Sequence, residues 1–94
     1  MMKIHVKLYA ALRLNLGIAD VFIETDKQLN MLELLKKVSE LVGEDILPEL
    51  IENGKIMVGT MLLIDGKNVL HAQKLETPVP DGSIVSVFPP NGGG

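Results

Sequence analysis

The chain has 94 residues, which is room for one domain, and carries 9 Lys plus Arg against 12 Asp plus Glu, a net charge of −3. Neither half has more basic than acidic residues and the apolar runs are short, so we expect no nucleic-acid partner and no contact with a membrane. Cysteine is absent, which excludes disulfides, thiolate nucleophiles and cysteine-bound metals. The composition is compatible with a cytoplasmic protein, and that is the location we expect.

The N-terminal third predicts two strands. Residues 2–8 alternate between apolar and polar side chains, the period of a half-buried strand. Residues 10–16 are less regular and lead to a turn at Gly17. Residues 20–25 predict a second strand, and the short connection favours an antiparallel hairpin. Residues 26–29 are polar and predict a loop.

A helix follows from residue 30 to residue 42. Asn30 is a good N-cap, Glu33 completes a capping box, and Gly43 is suited to end the helix. The predicted buried stripe has helical spacing and consists of Met31, Leu34, Leu35, Val38, Leu41 and Val42.

The second half predicts shorter elements. Residues 46–51 could form a short helix with Pro48 in its first turn, and Asn53-Gly54 is a turn. The apolar run 61–64 predicts a central strand covered on both faces, and Gly59 interrupts the segment before it. Asp65-Gly66 predicts a tight turn into a short edge strand within residues 67–70.

Residues 77–82 predict loop and turn, and residues 83–88 alternate again as a last strand. Val85 and Val87 then share one face, and Ile84, Ser86 and Phe88 the other. One helix can cover only one face of a sheet. The fold class is therefore α+β, a mixed four- to five-stranded sheet packed on one main helix.

The end of the chain carries the functional signal. Pro89 and Pro90 lack the N–H that a sheet ladder needs, so the last strand stops at Phe88. Residues 91–94 are Asn followed by glycines, which offer almost nothing to pack. We expect one domain over residues 1–90 and a flexible glycine tail over residues 91–94, which could thread a narrow channel. A frayed terminus is the alternative on this feature alone.

The sequence resembles the MoaD/ThiS-type ubiquitin-like sulfur carriers, most closely MoaD, the small subunit of molybdopterin synthase, and the small archaeal modifier proteins. The resemblance covers nearly the whole chain. It is carried by residues 8–13 with Gly17, by residues 63–69, by residues 75–77 with 81–85, and above all by the Phe-Pro-Pro ending followed by Gly93-Gly94. It implies a β-grasp, ubiquitin-like fold.

The resemblance also implies a function centred on the terminal glycines. Gly94, with Gly93, would be the site where the carboxylate is adenylated and then converted to a thiocarboxylate. ATP would be used by the activating enzyme, and no cofactor would be bound permanently. The partners would be an E1-like adenylating enzyme of the MoaB/ThiF type and the larger molybdopterin synthase subunit of the MoaE type.

Other functions remain open at this stage. The chain could be a ubiquitin-like modifier joined through Gly94 to lysines of target proteins, a sulfur carrier for tRNA thiolation, or an interaction domain with an inert tail. No catalytic set of side chains is evident, so whether the chain is an enzyme stays open. We expect it to be the non-catalytic small subunit of a sulfurtransferase complex.

Candidate partner-binding residues surround the tail. Phe88 could be either an interface anchor or part of the core, and Ile84 is expected beside it. Both could form an apolar patch with Pro89 and Pro90, while Gly92 belongs to the threading tail. Arg13 either forms a surface ion pair or contacts the activating enzyme.

Overall fold

Short strands and two α-helices make up the protein in a computed structural model that describes residues 1–90. In chain order the elements are β1 (Met2–Leu8), α1 (Ala10–Leu16), β2 (Asp20–Thr25), β3 (Leu29–Asn30), α2 (Met31–Val42), β4 (Ile51–Glu52), β5 (Lys55–Ile56), β6 (Met61–Ile64), β7 (Lys67–Asn68), β8 (Pro78–Val79) and β9 (Ile84–Phe88). Single-turn 3₁₀ helices cover Leu47–Glu49, Val69–His71 and Lys74–Glu76.

The main sheet has five strands in the order β2-β1-β9-β6-β7. β1 pairs antiparallel with β2 and parallel with β9, while β6 pairs antiparallel with both β9 and β7. Two small ladders, β3 with β8 and β4 with β5, lie outside it. The predicted hairpin and the mixed sheet are confirmed, and the last strand lies at the centre of the sheet beside the first.

Helix α2 covers one face of the sheet and begins where the sequence predicts. The Glu33 N–H donates to Asn30 Oδ1 at 2.8 Å, and the Asn30 N–H donates to Glu33 Oε1 at 2.9 Å, which completes the capping box. Gly43 ends the helix in the left-handed conformation, with φ of 76°.

The core lies between α2 and the inward faces of the strands, and it is aliphatic. Ile4, Val6 and Leu8 of β1 face the helix, as do Val85 and Val87 of β9. The buried helix residues are Met31, Leu34, Leu35 and Val38. Within residues 1–90 no helix covers the opposite face of the sheet, and we call it the open face.

Two predictions of burial are wrong. Leu41 is 63% exposed, because it lies beside the sheet margin at β2, where no further strand covers it. The run 61–64 is not covered on both faces. Only Leu62 is fully buried, and Met61 is 42% exposed because it lies on the open face.

Four local assignments also change. Residues 10–16, predicted as irregular, form α1, which buries only Leu12. Leu29, at the end of the predicted loop 26–29, is buried and belongs to β3, where it pairs with Val79 of β8. The same pairing turns part of the predicted loop 77–82 into β8. The predicted short helix with Pro48 in its first turn is a single 3₁₀ turn.

Candidate functional site: the root of the C-terminal tail

The last strand delivers the chain to one end of the sheet. Since β1 and β9 are parallel, both end there, and the antiparallel strand β6 begins there. The Tyr9 N–H donates to the Val87 carbonyl oxygen at 3.1 Å, and Met61 lies directly opposite Phe88. Tyr9, Phe88 and Met61 therefore converge where the tail starts, and we call this group the tail root.

Phe88 lies on the open face of the tail root. It is half-buried and stacks on Tyr9, with ring centroids 4.2 Å apart and planes 8° from parallel. The opposite face of β9 presents Val85 and Val87 to the core. The core alternative for Phe88 is thus wrong, and its role as an interface anchor stays a prediction.

The chain leaves the sheet through Pro89 and Pro90. Pairing of β9 ends at Phe88, as predicted, since neither proline can donate to a ladder. Pro89 is buried and Pro90 half-buried. A Cβ added to Gly59 would lie 3.3 Å from Pro90 Cβ and would press on that proline, and Gly59 has φ of +92°, a conformation that favours glycine.

A loop over residues 57–60 borders this exit. The Thr60 N–H donates to the Met57 carbonyl oxygen at 3.0 Å, and the Met57 N–H donates to that of Leu50 at 2.8 Å. The Thr60 hydroxyl is buried and has no hydrogen-bond partner within residues 1–90. The sequence indicates only that Gly59 interrupts a segment. Gly59 lies beside Pro90 because of the register between β6 and β9, which the sequence does not show.

Arg13 and Ile84 occupy different places. Arg13 is exposed on α1, which starts directly after Tyr9, and the two residues line one small groove of about 180 Å³. Arg13 therefore belongs to the same end of the sheet as the tail root. Ile84 shares the open face with Phe88 but lies at the opposite end of β9, about 13 Å away along the strand. The expectation that Ile84 lies beside Phe88 is wrong, and its neighbour across the ladder is His5.

The predictions for Gly92, Gly93 and Gly94 lie outside the described residues. Within residues 1–90, no group of His, Asp or Glu side chains is arranged to hold a metal ion. No helix in that part of the chain has the length and apolarity needed to cross a membrane. The arrangement supports presentation of a chain segment to another molecule, since the strand before it is held between two neighbours.

Comparison with known proteins agrees with this geometry. The sequence matches the ThiS family over residues 6–94. It is 28% identical to small archaeal modifier protein 3 of Haloferax volcanii, over 99% of this chain and all of that protein. It is 33% identical to a candidate sulfur carrier protein of Archaeoglobus fulgidus, again over 99% of this chain and all of the relative.

Solved structures share the fold. The Amycolatopsis orientalis BexX/CysO complex contains a chain that is 23% identical, with a TM-score of 0.78, and the match covers 97% of this chain and 99% of that one. A candidate molybdopterin converting factor subunit 1 from Pyrococcus furiosus is 22% identical, with a TM-score of 0.72, covering 96% and 99%. The fold is the ubiquitin-like β-grasp, and the chain belongs to the ThiS family of sulfur carriers and ubiquitin-like modifiers.

Proposed function

We propose that the protein is a sulfur carrier whose Gly94 carboxylate is adenylated and then converted to a thiocarboxylate. The observation that carries the proposal is the tail root. Strand β9 is held in the sheet by β1 on one side and β6 on the other up to Phe88, and the chain leaves it through two prolines. The family match, which runs through residue 94, supports the same reading.

The chemistry needs little from the carrier itself. A carboxylate oxygen of Gly94 attacks the α-phosphorus of ATP, and pyrophosphate leaves. Hydrosulfide then attacks the acyl carbon, the acyl–phosphate bond breaks, and AMP leaves with the electron pair. An E1-like partner supplies the nucleotide site. The carrier contributes a fixed exit and, after Asn91, three glycines without Cβ atoms, which can enter a narrow channel.

The finer assignment is the small subunit of molybdopterin synthase, with a larger subunit receiving the tail. It is supported by the resemblance of the Phe-Pro-Pro and Gly-Gly ending to MoaD. The shared fold of the Pyrococcus furiosus protein is compatible with it.

A second function is favoured by a specific relative. Small archaeal modifier protein 3 aligns over its whole length. By analogy, the same acyl adenylate would react with a lysine amine instead of hydrosulfide and form an isopeptide bond at Gly94. Both functions share the first step, so they can coexist in one protein.

Intact-mass measurement tests the proposal on the full chain. Incubation with the cognate adenylating enzyme, ATP and sulfide should exchange one oxygen for sulfur. One alanine added after Gly94 moves the carboxylate by about 3.5 Å and should abolish the exchange. Gly92→Ala should be tolerated, and an alanine added before Met1 is the matched control. Equal thiolation of the extended chain would refute the proposal.

A second reaction separates the modifier function. Sulfide is omitted and lysine-bearing proteins from the source cell are supplied. Trypsin cuts this chain last after Lys74, so peptides that carry residues 75–94 joined through Gly94 to a lysine would establish conjugation. Thiolation without such peptides favours the carrier function alone.

A further inference from the structure

Strand β2 has a free edge with regularly spaced hydrogen-bonding groups. The Leu8 N–H donates to the Ala19 carbonyl oxygen at 2.8 Å, and this pair continues the β1–β2 register. Bonded pairs alternate in an antiparallel ladder, so the peptide groups of Val21 and Ile23 also face β1. Those of Asp20, Phe22 and Glu24 therefore point away from the sheet, and no other backbone group within residues 1–90 bonds to them.

Exposed apolar side chains lie on both sides of this edge. Phe22 is 68% exposed on the open face, where it stacks on His5 with centroids 4.4 Å apart. Leu41 is 63% exposed on α2. Both line one groove of about 410 Å³, together with Ile23, Glu24, Lys37 and Glu40. An added strand at the β2 edge would lie in this groove and cover both apolar side chains.

The edge has carboxylates but none of the other features that usually prevent pairing. Exposed edge strands are commonly protected by charged side chains, especially lysine, by proline or by a bulge. The sequence of β2 contains neither lysine nor proline, and its six residues pair with β1 without a bulge. The edge is therefore open to β-augmentation, in which an extended segment adds one strand to the sheet.

The charges on β2 determine which kind of strand can pair at its edge. Asp20 and Glu24 flank Phe22 on the same face of the strand. Antiparallel pairing with a second copy, centred on Phe22, would set Asp20 against Glu24 in both halves, which like-charge repulsion disfavours. On its other side β2 already pairs with the complementary pattern, because Lys3, His5 and Lys7 lie opposite Glu24, Phe22 and Asp20.

The carboxylates of Asp20 and Glu24 can both bind a basic residue on an added strand. Asp20 Oδ1 accepts a hydrogen bond from His5 Nε2 at 2.7 Å, but the Asp20 side chain is 47% exposed and has a second oxygen. Glu24 is exposed, and no cation of residues 1–90 lies within ion-pair distance of it.

We propose that the β2 edge binds an extended segment of a partner protein with the pattern basic–apolar–apolar–apolar–basic. The two basic residues would lie beside Asp20 and Glu24, and the central residue beside Phe22. The two intervening residues would face the groove and contact Leu41. Because β1 separates β2 from β9, this site would remain accessible while a partner holds the tail.

The probe is an end-blocked peptide containing KVIVK between Gly-Ser flanks, titrated into the full-length ¹⁵N-labelled protein. We expect saturable shifts at the amides of Asp20, Phe22 and Glu24 and slowed hydrogen exchange there. Glu24→Lys should weaken binding about fivefold, since an opposite-charge pair becomes a like-charge pair. Phe22→Ala should weaken it about tenfold. Glu52→Lys, an exposed charge reversal on β4, should leave the affinity unchanged.

Three results would each overturn the inference. One is equal binding of a peptide with glutamates in place of both lysines. Another is a set of shifts centred on the tail root instead of on β2. The third is self-association of the protein through β2 without peptide. Phe22 and Glu24 are exposed, so their variants should fold, and thermal melts verify this. The tail is not involved, so failure here leaves the sulfur-carrier proposal untouched.

Discussion

Replacing Phe88 with alanine separates partner binding from folding at the tail root. The substitution removes the stack on Tyr9, which is worth about 0.5–1.5 kcal/mol beyond area burial. Phe88 is half-buried, so its loss should cost less than the ~3–5 kcal/mol of a core phenylalanine. We expect a loss of about 1–2 kcal/mol in the free energy of unfolding, and roughly 4–8 °C in Tm for each kcal/mol.

The effect on binding should be larger. An aromatic anchor at the centre of an interface costs about 2 kcal/mol or more when truncated. That corresponds to about thirtyfold in Kd for the adenylating enzyme. Urea denaturation and titration calorimetry on the same variant measure the two quantities. Phe22→Ala is the matched control for the loss of stability, because Phe22 is the other stacked aromatic of the open face and lies away from the tail root.

A core reference completes the comparison. Leu62 lies on β6, next to Met61, but is fully buried, so Leu62→Ala should cost about 2–5 kcal/mol of stability. If Phe88→Ala destabilises the protein as much as Leu62→Ala and leaves the Kd unchanged, Phe88 serves the fold and the interface assignment is wrong.

Two further predictions follow from particular contacts. Asn30→Ala should lower the free energy of unfolding by about 1 kcal/mol in urea titrations, because it removes the acceptor for the Glu33 N–H. Asn30→Ser keeps a side-chain acceptor and should retain most of the native stability. Gly59→Ala should slow thiolation, since its Cβ would press on Pro90, whereas Gly66→Ala, with a similar φ of +84° and open space around it, should cost only stability. Equal thiolation rates in the two glycine variants would show that the Gly59–Pro90 contact does not position the tail.

The parts of the fold that the sequence predicts are those in which one hydrophobic pattern repeats over many residues. Strand β1 alternates over seven residues and α2 repeats over twelve, so each pattern identifies its element and its buried face. Helix α1 spans two turns and buries one residue, which leaves no period to detect. Leu41 has the spacing of a buried residue, but its exposure depends on where the sheet ends, and the helix sequence does not encode that.

The candidate site also has one part that the sequence predicts and another that it does not. The Phe-Pro-Pro exit is local, and the sequence predicts where the strand stops. The stack of Phe88 on Tyr9 depends on β1 and β9 being parallel neighbours, and the approach of Pro90 to Gly59 depends on the β6–β9 register. Such contacts join residues far apart in the chain, so only the assembled sheet reveals them.

The position of β9 has a consequence for how the carrier could work. A terminal strand at a sheet margin could detach by breaking one ladder, but β9 is bonded on both sides, and its inward valines are fully buried. A partner that draws on the tail therefore pulls against two ladders and the core. Stretching or unfolding of residues 84–88 would break both ladders and expose Val85 and Val87. In the proposed carrier function, the position of the Gly94 carboxylate would then depend on the number of residues after Pro90, so a single added residue should matter.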